Sequence, residues 1–165
     1  MTNLQGLPDR KDQVFMRFIG RTPARTFILY PIITLIWEYI INRGSLRFHP
    51  LFLPLMIWGY LQYRLCGFYR IKHGGGGPGL ETPPERLVTS GPYAYTRNPM
   101  YLGHVVFLTG LALTLQSWFA AALTIGIAGW FHARVIGDER KLADHFGQPY
   151  IVYTKSVKRW IPGLF

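Results

Sequence analysis

Acidic residues are scarce in this 165-residue chain: eight Asp and Glu stand against eighteen Lys and Arg, leaving a formal net charge of +10. Charge of either sign is scarce as well, at 16% of residues, where soluble proteins carry about 25%. The single cysteine, Cys66, excludes an intrachain disulfide. No Cys or His stands at zinc-ligand spacing, and His49, His73 and His132 form no ligand pattern, so no metal is expected. Residues 1–25 hold no apolar core of the kind that marks a cleavable secretory signal. No catalytic triad can be read, and no apolar run is both long and uninterrupted.

What is abundant is apolar and aromatic: 49% and 16% of the chain, with five Trp and ten Tyr. Such amphipathic rings concentrate where a bilayer meets water. Four segments approach the roughly 20 residues a membrane-crossing helix needs: Ala24–Ile41, interrupted by Glu38; Pro50–Phe68, diluted by Gln62 and Arg64; Pro99–Leu115; and Trp118–Ile136. Only Gln116 and Ser117 separate the last two, which predicts a tight helical hairpin. Lys and Arg number five in 1–25, two in 42–49, five in 62–98, none at 116–117 and six in 134–165. This alternation fits the rule that basic residues stay on the cytoplasmic side. The expected fold is therefore an all-α integral membrane protein with about four transmembrane helices, a C-terminal hairpin and cytoplasmic tail helices. It would be a multi-pass protein of the inner, cytoplasmic membrane with both termini in the cytoplasm. The basic residues lie between apolar runs and not in one stripe, so the lipid bilayer is the expected partner and nucleic acid is not. One domain, 1–165, is expected, with N-terminal spans in 1–64 and the functional core in 65–165. Residues 14–20 can form a short interfacial helix. The run 73–79, rich in glycine, is either a connector or backbone that lets a ligand come close.

Two stretches carry chemistry. In the first, Gly91-Pro92 is turn chemistry, and Asn98-Pro99 reads as the cap and first position of the third span. The N–H groups of Met100, Tyr101 and Leu102 at that helix start suit a carboxylate or phosphate. Arg97 adds a cation able to grip a carboxylate. Tyr93, Tyr95 and Tyr101 offer faces that attract a sulfonium or quaternary ammonium. The plainer readings are an interfacial tyrosine belt and a basic membrane anchor. In the second stretch, Asp138 and Glu139 stand at a helix C-terminus, where acids are unfavourable. Arg134 accounts for Asp138 at i, i+4; Glu139 needs a partner from elsewhere. Gly147 ends that helix, and Pro149 starts another bearing Tyr150, Tyr153 and Val157. Glu38, an acid inside the first span, is a functional candidate by its cost.

Together these stretches resemble the isoprenylcysteine carboxyl methyltransferase and phospholipid N-methyltransferase superfamily. The first signature, Gly-x-Tyr-x-x-x-Arg-(His or Asn)-Pro-x-Tyr-x-Gly, is similar to Gly91 through Gly103. The second is similar to Asp138-Glu139-Arg140-Lys141-Leu142, Phe146-Gly147-Gln148-Pro149-Tyr150-Ile151-Val152-Tyr153 and Arg159-Trp160-Ile161-Pro162. Asp138 stands in place of a Glu, and Asn98 in place of the His of the prenylcysteine branch. The resemblance covers about residues 65–165 and implies S-adenosylmethionine as cofactor. It implies cofactor-binding residues at Tyr93, Arg97, Asn98, Pro99, Tyr101, Leu102, Glu139, Leu142, Tyr150 and Tyr153, with Arg97 and Glu139 as candidates for a catalytic role. The implied acceptor is a lipidic or small apolar carboxylate, thiol or amine. Glu38 and His104 are the candidates to meet it, and His104 or His145 could take a proton from an amine. A non-catalytic protein retaining the fold and an NADPH-dependent membrane reductase are the alternatives.

Overall fold

A computed structural model describes residues 21–77 and 84–161. The expected interfacial helix at 14–20, together with Pro78, Gly79 and Pro162, lies outside them. Five helices are described: α1 (Thr22–Ile41, π-helical over Arg25–Leu29), α2 (Leu53–Gly74), α3 (Pro99–Leu115), α4 (Trp118–Phe146) and α5 (Gln148–Ser156). Short 3-10 turns at Pro50–Phe52 and Gly91–Ala94 precede α2 and α3. There is no strand among the described residues.

The helix ends follow local chemistry. Pro99 opens α3, where its missing N–H costs nothing. Gln116 adopts left-handed backbone at φ 50°, and Ser117 accepts a hydrogen bond from the Ala120 N–H at 3.0 Å, capping α4. Gly147, at φ 60°, closes α4. The hairpin thus turns where the sequence places it, while α2 continues six residues past Phe68 to Gly74.

α1 is patterned inside out. Its buried side chains are Thr22, Thr26, Thr34 and Glu38, on a four-residue spacing. Apart from Phe27 and Tyr30, which pack inward, many of its aliphatic and aromatic residues, including Ile32, Ile36, Trp37 and Ile40, are exposed. A helix in water turns its apolar stripe inward; this one presents it to an apolar surrounding. α1 and α4 are long and apolar enough to cross a membrane, each with only 22% of its most apolar window buried, and α3 is a shorter apolar helix. An all-α fold with so much apolar surface outward is that of a membrane protein.

α3 is the central helix. Phe107, Leu108, Leu111 and Leu115 form its core, against Phe27, Tyr30, Met56 and Ile127. α2 lies close along it because glycines remove side chains from the crossing. A methyl group on Gly103 would lie 2.8 Å from the Gly59 carbonyl oxygen, and one on Gly110 2.7 Å from the Met56 nitrogen. At the hairpin turn, the Glu38 carboxylate accepts hydrogen bonds from Ser117 Oγ at 2.6 Å and Asn42 Nδ2 at 2.8 Å. Glu38 therefore ties α1 to the turn between α3 and α4. The two signature-bearing ends, the start of α3 and the end of α4, meet at the opposite end of the hairpin.

Candidate active site

Where α3 begins, the chain tail returns over it. Thr96 Oγ1 donates to the Arg159 carbonyl at 2.9 Å, and the Arg97 N–H donates to the Lys158 carbonyl at 3.0 Å. Asn98 Nδ2 donates to the Arg159 carbonyl at 3.3 Å. From α5, Tyr153 Oη donates to the Tyr93 carbonyl at 2.6 Å. Residues 157–160 thus form a strap across the helix start, held mainly by main-chain carbonyls.

Beneath it lies an ion cluster. Arg97 Nε and Nη2 donate to the two Glu139 oxygens at 3.1 and 3.3 Å, and its Nη1 donates to the Thr154 carbonyl at 2.9 Å. Arg159 reaches the same carboxylate at 2.8 Å. Glu139 is only 11% exposed in its side chain, so it depends on these partners. The acid with no local partner is neutralised by two arginines distant in sequence.

The space enclosed by the loop before α3, the end of α4 and α5 is a cavity of about 720 Å³, within the size range of small-molecule sites. Of the sequence-derived candidates, Tyr93, Arg97, Asn98, Pro99, Tyr101, Leu142, Tyr150 and Tyr153 line it. Leu102 and Glu139 are not among the lining residues. The Leu102 N–H already donates to the Asn98 carbonyl at 3.0 Å, leaving Met100 and Tyr101 as the amides of the helix start. Asn98 occupies the cap position without a side-chain cap bond, because its amide serves the strap and Glu139. Glu38 sits at the other end of α3, roughly 25 Å away at 1.5 Å per residue. His104 is fully buried one turn behind Met100, stacked on Phe27 at 4.7 Å, with no hydrogen-bond partner for either ring nitrogen.

Sequence reasoning missed Arg70, Glu85 and Lys141 as lining residues. Arg70 reads as a charge flanking a span, yet it is buried and donates to the Gly77 carbonyl at 3.0 Å. Its signal was the i, i+4, i+8 series Cys66, Arg70, Gly74, which is the buried face of α2. The glycine run serves packing: a methyl on Gly74 would lie 2.6 Å from Val88, and its carbonyl accepts the N–H groups of Glu85 and Arg86. This holds residues 84–88 as a cavity wall.

Asp138 also lines the cavity. It accepts a hydrogen bond from Tyr101 Oη at 2.8 Å and lies 3.7 Å from Arg134 Nε. Burial pushes the Tyr93 and Tyr153 phenols well above their ordinary range. Burial first, and then the Glu139 charge, raise Tyr150 to about 12. These tyrosines are neutral donors and flat faces at physiological pH. Hydrogen bonding to Glu139 holds Arg159 above the usual guanidinium value.

Fold and cavity together define a helical membrane protein with a ligand-sized pocket at one end of a hairpin. Residues 76–149 match the family described as phospholipid methyltransferase. An overlapping similarity joins the chain to protein-S-isoprenylcysteine O-methyltransferase of Schizosaccharomyces pombe, 36% identical over 78 residues, covering 46% of this chain and 33% of the relative. The protein of the same name in Dictyostelium discoideum is 36% identical over 80 residues, covering 47% and 33%. Protein-S-isoprenylcysteine O-methyltransferase B of Arabidopsis thaliana is 29% identical over 79 residues, covering 47% and 40%. The matches span between a third and two fifths of these relatives' length. Through this segment the chain is similar to phospholipid methyltransferases and to protein-S-isoprenylcysteine O-methyltransferases.

Proposed function

We propose that the chain is an S-adenosylmethionine-dependent methyltransferase that crosses the bilayer four times, with the cavity and both termini on the cytoplasmic side. The observation that supports it most is that both superfamily signatures supply walls of one cavity. When bound, the cofactor supplies a methyl carbon activated by positive sulfur. The donor set suits it. Arg70 and Lys141 are cations for its carboxylate, beside the Met100 and Tyr101 amides. Asp138 and Glu85 are acids for its ammonium or ribose hydroxyls. Tyr93, Tyr101 and Tyr150 offer aromatic faces to the sulfonium and adenine. Asn98, Pro99, Leu142 and Tyr153 complete the walls. Arg97 is both wall and latch, while Glu139 and Leu102 act from behind it.

In-line displacement needs alignment more than acid or base; good orientation can contribute up to roughly 7–11 kcal/mol. The tyrosine walls hold the reactants, and the strap keeps the start of α3 and the end of α4 together. A lipidic or small apolar acceptor enters from the bilayer. A carboxylate or thiolate attacks unaided, and an amine gives up its proton to His145 at the cavity wall, whereas His104 is fully buried and lies off that wall. Glu38, tied to the hairpin turn, serves the fold instead of the acceptor.

Calorimetry in detergent tests this with S-adenosylmethionine, its demethylated product and NADPH. Micromolar binding of the first two is expected. Binding of NADPH alone would make the chain a reductase, and binding of none would leave the fold without this activity.

A further inference from the structure

A second recess lies on the outer side of the strap, lined by Arg97, His132, Thr154, Lys158, Arg159 and Trp160, with a volume of about 470 Å³. It shares Arg97 with the cavity, and its strap residues Lys158, Arg159 and Trp160 do not line the cavity. Its chemistry is that of an anion site. Three of its six residues are cations, and Glu139 offsets only one charge of the Arg97–Arg159 pair it joins. Trp160 Nε1 donates to His132 Nδ1 at 3.1 Å. An indole N–H can only donate, so Nδ1 accepts and the imidazole carries its proton on Nε2, a second donor.

The recess also sits at a defined depth. The apolar part of α4, from Trp118 to Ile136, rises roughly 28 Å at 1.5 Å per residue, close to the hydrocarbon thickness of a bilayer. His132 is in its last turns. Two residues before it, Trp130 is flanked by the Arg25 and Arg134 guanidiniums at 5.5 and 5.4 Å from its ring. Arginines around a Trp at the end of an apolar helix mark the headgroup layer. Exposed Ile161 continues the apolar surface beside the recess.

We infer that this recess binds the phosphate of an anionic phospholipid, as a site distinct from the proposed methyl-transfer cavity. Lys158 and Arg159 come from the strap and His132 from α4, so the phosphate would bridge them and hold the strap down. The inference rests on the bilayer reading but not on the cofactor.

The test uses the full chain in vesicles and reads Trp160 fluorescence as the difference between wild type and Trp160→Phe. Brominated phosphatidylglycerol and brominated phosphatidylcholine serve as quenchers, with cofactor absent. Phosphatidylglycerol is expected to quench at least about fivefold more effectively per mole, and Lys158→Gln to remove about fivefold of that preference, the scale of one basic residue at an anionic surface. Lys158 is exposed, and only its carbonyl is used by the strap. Equal quenching by the two lipids overturns the inference while leaving the bilayer reading intact. Loss of the preference on adding inorganic phosphate assigns the recess to a free anion and overturns the lipid. Failure of the chain to float with any vesicle overturns the bilayer reading itself, and the inference with it.

Discussion

Glu139 joins three parts of the chain that are far apart in sequence: the start of α3 through Arg97, the strap through Arg159, and α4, which carries it. Glu139→Ala leaves the largely buried Arg97 and the partly exposed Arg159 without their anion; breaking the buried pair with Arg97 costs about 3–5 kcal/mol. The expected result is release of the tail, seen as faster tryptic cleavage at Lys155 and Lys158, with cofactor affinity lost as a consequence. Asp138→Asn is expected to do the reverse, weakening cofactor binding while the tail stays protected. A protected tail in Glu139→Ala would remove Glu139 from the latch. Tyr153→Phe, which deletes only the buried bond to the Tyr93 carbonyl, should cost about 0.5–1.5 kcal/mol of stability in a thermal melt. At this scale the sequence was legible in part. In the sequence Glu139 asks for a partner as an acid set at a helix C-terminus; α4 runs two turns further to Phe146, so the need comes from burial instead, and the partner could not be named. Arg159 reaches it only because residues 157–160 fold back over α3, and nothing in local periodicity records that return. For the same reason Arg97 read as a ligand group, whereas its guanidinium is bonded to Glu139 and Thr154.

Helix crossing by small residues is the property that sets the elements. α2 and α3 meet through Gly59, Gly103 and Gly110, and the atoms a methyl would meet at Gly103 are main-chain atoms of α2, at 2.8 Å. Main chain in a packed helix cannot step aside as a flexible side chain can, so Gly103→Ala should separate the helices. Overpacking of this kind costs about 1–3 kcal/mol, and a lower melting temperature in detergent is expected, with the cavity wall at Met100 and Tyr101 displaced. Gly126→Ala is the matched control: a methyl there meets nothing within 4 Å. It should be neutral or slightly stabilising, since alanine is the better helix former. Equal effects of the two changes would contradict the close crossing. The α3 boundaries were legible because Asn98-Pro99 and Gln116-Ser117 punctuate them. The length of α2 was not, because Arg64, Arg70 and Lys72 dilute its apolar run while the buried face, Cys66, Arg70 and Gly74, continues to its end.

For the whole molecule, the decisive quantity is how many helices cross the bilayer. Among the described residues α1 and α4 alone satisfy length and hydropathy, so a two-crossing arrangement would put Ser45 and Thr89 on one face and Gln148 on the other. Four crossings put Ser45 alone on the far side and return Thr89 to the face of Gln148. The cavity argues for the second arrangement: Pro84, Leu87 and Val88, just ahead of Thr89, line the same space as Asp138, His145 and Tyr150. Residues that share one water-accessible pocket cannot be separated by a hydrocarbon layer about 30 Å thick. The lone cysteine makes the experiment clean, since Cys66 is buried within α2. Ser45→Cys, Thr89→Cys and Gln148→Cys are exposed positions that a membrane-impermeant maleimide can reach from one side only. In intact cells Ser45→Cys alone should label; in inverted vesicles Thr89→Cys and Gln148→Cys should label and Ser45→Cys should not. Labelling of Thr89→Cys together with Ser45→Cys would reduce the crossings to two, and it would separate the first signature's loop from the acids of the second, leaving the cavity without one of its walls.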